Sequence, residues 1–538
     1  MRHILALCFS IVVFSVAAQV TLSESNLAIL KINTAGKEIV DEPKINATLQ
    51  IIDNGAAIIN KVNDQPTGYD GHIGIEFRGS TSQWFPKKPY GFETTDSSGD
   101  GIDVSLLGMP KEEDWTLNAT YNDKSLMRDG MAYILAGSIM AYAPRVRYCE
   151  LVVNDQYQGV YLLIEKIKRG KNRVNIAKMD KDDIAGNDLT GGYILKIDKT
   201  SGSSNSGWNS PYRPYPNASQ RTFFQIDYPR ESNLAPQQFE YIKNYVTAVE
   251  NSINATNYTD PINGYRKYID INTLIDFIIV NELTKNPDAY RLSTYFYKER
   301  DDNGGMLKFG PVWDFNLGLG NVDYCTQGNP EGLVINEFNN VCPDDNWVIH
   351  YWWKKFMDDK EFYKSLKWRW AQLRKKELSD RVVFGKMDSL SNLLSQAQVR
   401  NFQQWPILGT YVWPNYYVGN TYQQEVDYLG NWMKNRMSWL DKEWGIPSAT
   451  NEAAHSGISL KLVNPASDNV ILDIEDFDSS IHELSLYDMM GRYIPIQADI
   501  VGTSQVTIDI SGLKKGMYVL KVCEANIDRC SSAKLIKN

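Results

Sequence analysis

Asp288 and Asp314 are the residues whose types and spacing are best suited to chemistry. Asp288 follows Asn281-Glu282-Leu283-Thr284-Lys285-Asn286-Pro287. There an apolar helical pattern (Leu274, Ile275, Ile278, Ile279) runs out near Lys285, because Pro287 cannot continue it, so Asp288 projects from a loop at a helix end. Two strand patterns follow, 295–298 and 306–309, joined across Asp301-Asp302-Asn303-Gly304-Gly305. Asp314 stands directly after the second, between Trp313 and Phe315-Asn316. A loop carboxylate, a β-hairpin and a second carboxylate beside an aromatic is a layout used for phosphoryl transfer, in which a divalent metal on hard oxygen ligands neutralises a triphosphate. Single loop aspartates also arise as turn caps and solvated residues, and on spacing alone that reading of the pair is the commoner one.

Two further groups carry charge near strand ends. Phe77-Arg78-Gly79-Ser80-Thr81-Ser82-Gln83-Trp84-Phe85-Pro86-Lys87-Lys88 is a strand running into a small polar loop and two lysines. Its backbone N–H groups, with the Ser80 and Ser82 hydroxyls, could cradle phosphate while Arg78 or Lys88 supplies charge. It has neither of the common glycine-rich phosphate motifs, so a polar turn with solvated lysines fits as well. Glu165-Lys166-Ile167-Lys168 ends another strand; Glu165 could hold an ATP-contacting lysine such as Lys166 in place, although most charge runs are solvated faces. Histidine offers little. After the first residues only His72, His350, His455 and His482 remain, none at metal-ligand spacing, so zinc chemistry and a Ser-His-Asp relay are not expected.

The elements that must position these groups read as an α+β chain. Length, 538 residues, favours two or more domains. Hydrophobic residues at 43% and charged at 22% are ordinary for globular proteins, and aromatics at 12% are high. A net charge of -9 excludes a general nucleic-acid binder. Residues 1–18 have the charged start, apolar run and Ala17-Ala18 of a secretory signal, and no later stretch is long and uncharged enough to cross a membrane. A β-rich lobe is expected over about 27–200, with a helix over 124–142 and a hairpin over 147–168 turning at Asn154-Asp155. A mobile loop is expected over 200–220 and a helical lobe over about 230–445, with a ligand cleft between the lobes. A linker over 446–457 leads to short alternating strands over 458–538. Export permits disulfides, and spacing suggests Cys325 with Cys342, Cys523 with Cys530, and a buried free Cys149.

Taken together, residues 77–94, 123–136 (DKSLMRDGMAYILA), 151–167 (LVVNDQYQGVYLLIEKI), 281–290 and 310–321 (GPVWDFNLGLGN) resemble the CotH kinase family, in the family's order and over roughly 27–440. The resemblance implies a divergent two-lobed protein-kinase-like domain that uses ATP with Mg2+ or Mn2+ and phosphorylates serine or threonine of exported proteins. Asp288 matches the family's catalytic-loop aspartate, Asp314 its metal-binding aspartate, and Arg78 and Lys88 its RG-loop and PKK positions. Where many members carry a further aspartate, this chain has Asn316, which offers the metal an amide oxygen and one charge fewer. The tail resembles the type A C-terminal sorting domain of type IX secretion, through Val463-Asn464-Pro465, Leu486-Tyr487-Asp488, Gly491-Arg492 and Gly516-Met517-Tyr518-Val519. That implies a small immunoglobulin-like β-sandwich, the outer-membrane secretion machinery as a partner, and a secreted or surface-attached product.

Three functions remain in play on the sequence. A secreted kinase explains the retention of both acids. A surface adhesion protein or scaffold that kept the fold without catalysis suits the scarcity of extracellular ATP. A two-carboxylate glycosidase needs only that the acids stand at the right separation.

Overall fold

The computed structural model describes residues 20–200, 206–445, 459–462, 466–475, 481–488, 493–501, 505–524 and 530–538. The expected signal segment 1–18 and the linker 446–457 lie outside these, Gly445 being the last residue described before the linker. The chain divides into two compact units, Met1–Ile446 and Pro447–Asn538.

The first unit starts as a closed barrel. Its strands are β1 (Ala28–Asn33), β2 (Ile45–Ile52), β3 (Tyr69–Phe77), β4 (Tyr90–Thr95), β5 (Asp114–Asn118), β6 (Val146–Val153) and β7 (Gln156–Glu165), in the order β1-β2-β3-β4-β5-β7-β6. β6 closes the ring by pairing in parallel with β1. Alternate residues fill the interior, among them Leu30 and Ile32, Leu49 and Ile51, Ile73 and Ile75, and Tyr161 and Leu163. Cys149 is in that interior, which explains a buried free thiol. Between β6 and β7 the chain turns on Asn154 and Asp155, φ 48° and 60°, the left-handed pair that a two-residue hairpin loop requires.

The outer face of β7 joins the barrel to the rest of the unit. Val160, Leu162 and Ile164 point away from the barrel interior into the large core shared with helix α1 (Arg128–Ile139), through Met131, Leu135 and Ile139. The expected helix over 124–142 is thus shorter. Asp123, Lys124 and Ser125 form a buried turn ahead of it.

A five-stranded antiparallel sheet follows, built from β8 (Tyr193–Ile197), β9 (Gly207–Asn209), β10 (Phe223–Tyr228), β11 (Thr294–Lys298) and β12 (Leu307–Phe309) in the order β9-β10-β8-β11-β12. Two corrections arise here. Part of the loop expected over 200–220 is the edge strand β9, pinned by buried Trp208 against the rings of Phe224 and Phe239. The expected helical lobe also contributes the hairpin β11–β12 to this sheet, so strands and helices are not sorted into two halves.

Helices α2 (Pro236–Asn254) and α3 (Ile271–Thr284) share the main core with Leu195, Phe224, Ile226, Phe296 and Phe309 of that sheet. Asp270 caps α3 by accepting from the Asn272 and Thr273 N–H groups. The helix ends where Lys285 turns left-handed, φ 43°, two residues before Pro287. Helices α4 (Val334–Val341), α5 (Tyr351–Asp358), α6 (Lys360–Arg374), α7 (Asp380–Leu394), α8 (Ala397–Gln404) and α9 (Tyr422–Glu443) complete the unit. A disulfide joins Cys325 to Cys342 at the end of α4.

In the second unit two four-stranded sheets share one apolar cluster, which includes Val470, Leu472, Leu486, Val506, Ile508, Leu520 and Leu535. Cys523 faces Cys530 across an antiparallel pair, and the side chains of this expected disulfide lie outside the described residues. Among the described residues no helix is long and apolar enough to cross a membrane.

Candidate active site

Asp314 sits on a turn built to present it. Its φ is 63°, a left-handed conformation that only the surrounding contacts hold in a non-glycine residue. Those contacts come from α1, one turn apart. The Asp314 N–H donates to the Tyr133 hydroxyl at 3.1 Å, and the Phe315 N–H donates to Asp129 Oδ1 at 2.8 Å. Arg128 extends the grip by donating to the Leu319 carbonyl, while a buried ion pair with Asp123, 2.6 Å, fixes the guanidinium. The motifs 123–136 and 310–321 are thus one structural device.

Asp288 approaches from the end of α3. Asn286 links the two loops by donating its amide to the Asp314 carbonyl at 2.9 Å. Arg291 holds Asp288 Oδ1 at 2.8 Å and is itself fixed by Asp345 at 3.0 Å and by the Pro287 carbonyl at 2.7 Å. Burial, then the charge of Asp288, then that of a third acid, Asp198, raise the Asp314 carboxyl to about 7, against an opposing pull from Arg78. The buried Asp129 carboxyl is pushed well above the ordinary range, first by burial and then by Asp314. Asp288, Asp198 and Asp129 therefore all interact electrostatically with Asp314. Like charges are held together only at a cost, and a divalent cation relieves it.

Asp198 directly follows β8, and nothing in the sequence around it marks it. It lines a cleft of about 520 Å3 with Ser80, Trp84, Lys199, Arg221, Arg291 and Trp347. Across from Asp314, Arg78 lies over the Trp313 ring, 5.2 Å from its centroid, and donates to Thr116 Oγ1 at 2.6 Å. The barrel loop thus brings Arg78 and Ser80 to the site.

The other residues of that loop and of the Glu165 run are placed differently. The Ser82 side chain tucks over Gly79, where a Cβ would meet its Oγ at 2.1 Å. Lys88 donates to the Gln83 carbonyl at 2.6 Å, closing its own loop instead of reaching out. Its neighbour Lys87 is the buried one, bonded to Asn401 Oδ1 of α8 at 2.9 Å, and burial lowers its ammonium to about 7. Glu165 does not hold a lysine. Arg145 occupies it at 2.9 Å, while Lys166 faces Asp114 at 3.7 Å. Glu282, in the motif before Asp288, is a buried strut: it accepts from the Val334 and Ile335 N–H groups at the start of α4 and pairs with Arg436 at 3.2 Å.

Asn316 donates its amide to Asn122 Oδ1 at 3.1 Å. Asp314, Asp198, Asp288 and Asn316 each carry a hard oxygen donor of the type magnesium prefers, although the oxygens of the three acids do not all lie within 4.8 Å of one another. Among the described residues the one trio of acids whose ligand atoms all lie within 4.8 Å of one another is elsewhere, at Glu112, Glu113 and Asp114, where Lys168 neutralises it at 2.9, 2.6 and 3.0 Å. Behind the cleft wall, His350 bridges Thr222 Oγ1 at 2.9 Å and Glu250 Oε1 at 3.0 Å, a buried link that spacing along the chain could not show.

The family described as CotH kinase protein matches residues 75–440, and the secretion system C-terminal sorting domain matches residues 464–538. No curated protein matches. Among solved structures, titin kinase with its flanking domains is similar at 8% identity, with 97% of this chain and 98% of that chain covered and a TM-score of 0.17. The twitchin kinase region from C. elegans is similar at 10% identity, with 96% and 99% covered and a TM-score of 0.14. Likenesses at these scores carry no argument.

Proposed function

The chain belongs to the CotH kinase protein family and ends in a secretion sorting domain, and from that premise we propose that it is an exported kinase. It transfers the γ-phosphate of ATP to serine or threonine hydroxyls of exported proteins, on a divergent kinase-like arrangement of barrel, sheet and helices. The observation that carries this reading is that Asp288 and Asp198 both raise the Asp314 carboxyl against the pull of Arg78, while Asp198 lines the cleft together with Arg291, the partner of Asp288.

Asp314, with Asn316 and Asp198, would hold the magnesium ion, whose charge would neutralise that of the triphosphate. Arg78 pairs with phosphate oxygens, kept in place by Thr116 and Trp313. Asp288 orients the acceptor hydroxyl and takes its proton, and Arg291 fixes the carboxylate so that little reorganisation is needed. Trp84 and Trp347 line the same cleft with exposed rings, against which a nucleotide base could stack.

Two substitutions separate the roles. Asp314→Asn should weaken magnesium-dependent ATP binding and abolish transfer together. Asp288→Asn should leave ATP affinity within a few-fold while transfer falls by about 10²-fold or more. Calorimetric ATP titration with and without magnesium, beside phosphate incorporation into the protein or a serine-rich peptide, reads both. Absence of magnesium-dependent ATP binding in the parent would overturn the reading and leave a non-catalytic surface scaffold in its place.

A further inference from the structure

The loops 321–328 and 409–417 hold aromatic rings at the surface. Tyr411, Trp413 and Tyr416 are 52%, 46% and 55% exposed. Tyr324 lies almost parallel to Trp413, with ring centroids 6.3 Å apart and an angle of 13°. Lys285, three residues before Asp288, donates to the Thr326 carbonyl at 3.4 Å, so the aromatic surface adjoins the candidate active site.

These rings are fixed in advance. The Asp323 N–H donates to the Pro414 carbonyl at 3.0 Å, the Tyr416 N–H to the Asn321 carbonyl at 3.1 Å, and the Tyr411 hydroxyl to Asp323 Oδ2 at 2.7 Å. Asn415 is buried beneath and bonds to the Asn122 carbonyl at 2.7 Å and to Asn321 Oδ1 at 3.0 Å. The Tyr416 ring lies on Gly328, where a Cβ would come within 2.4 Å of it. A rigid, exposed aromatic surface is a marked interaction site, because its ordering cost is already met before a partner arrives.

Charge selects the partner. Neither loop contains a lysine or arginine, so an anionic polymer finds no counter-charge in them. Their one acid, Asp323, already accepts from Tyr411, which leaves little to attract a cationic peptide. Flat faces edged by hydroxyls match a neutral ligand with apolar C–H faces and hydroxyl edges, which is the chemistry of a sugar ring. We propose that Tyr324, Tyr411, Trp413 and Tyr416 form a binding ledge for neutral polysaccharide, beside Asp288. The ledge works without nucleotide, so it stands apart from the phosphoryl-transfer reading. It would hold the protein on glycan where it acts.

Binding of the full chain to cellulose, insoluble xylan, chitin and starch granules tests this, with polygalacturonate as the anionic control and oligolysine as the cationic one. At least one neutral polysaccharide should retain the protein and both charged probes should not. Tyr411→Ala/Trp413→Ala/Tyr416→Ala should lose about tenfold or more in affinity, while Trp413→Phe, which keeps a ring and every hydroxyl, stays within about threefold. Quenching of tryptophan fluorescence in the unmodified protein by the matching soluble hexasaccharide gives a readout that needs no variant to fold. Retention by none of the neutral polysaccharides, preference for either charged probe, or undiminished binding by a folded triple alanine variant would each overturn the ledge.

Discussion

Asp314 titrates where solution conditions can reach it, and this gives the proposed metal ligand a measurable signature. Its carboxyl is raised to about 7, from an ordinary value near ~3.9. Between those values the folded protein holds a proton that the unfolded chain releases, so this group makes stability fall as pH rises through the window and adds no further change above it. Asp314→Asn cannot ionise. In metal-free buffer the variant should therefore gain a few degrees of melting temperature over the parent at pH 8 compared with pH 5. Magnesium should narrow the gap by stabilising the parent alone, since the cation displaces the proton. A pH-independent difference between the two proteins would mean that Asp314 is not crowded by its neighbours.

At the scale of elements, α1 holds the Asp314 turn and the disulfide ties down the loop that carries Tyr324. Asp129 and Tyr133 receive the Asp314 turn, while Cys325, next to Tyr324, is tied to Cys342 across a separation of 17 residues. Closing a loop of that size restricts the unfolded chain, so Cys325→Ser/Cys342→Ser should cost about 3 kcal/mol, read from urea unfolding with the slope of each protein fitted separately. These elements differ in how far the sequence announces them. The hairpin β6–β7, the end of α3 before Pro287 and the pair β11–β12 are legible because local periodicity and turn chemistry fix them. Other contacts join distant residues, as Asp198 does with Asp314, Arg145 with Glu165, and His350 with Glu250, and no local pattern encodes which distant partner a charge will find. Barrel closure belongs with these: β1 shows the alternation of a strand but nothing in it names β6. Lys87 and Lys88 are alike as text, yet one is buried against the Val160 carbonyl and Asn401 while the other closes a surface loop on the Gln83 carbonyl, partners that only the folded chain brings to them.

The molecule as a whole is two units with separate cores, one of them a sorting domain. Deleting Ile458 to Asn538 should leave the first unit folded, with its melting transition intact, while the protein stays in the periplasm. Fractionation with surface labelling checks this, and a truncated chain that still reached the surface would show that the tail is not the address. The barrel of the first unit adds a constraint in time. Its seam sets Ala28 beside Cys149 and Ile32 beside Val153. Contacts between segments about 120 residues apart form late, because the intervening chain must first be gathered. A chain emerging from its N-terminus makes β1 long before the strand that completes it exists. Until residue 165 has been delivered and β7 can join β5 to β6, the ring cannot close, and the leading portion can be threaded through a narrow pore without a finished barrel being pulled apart.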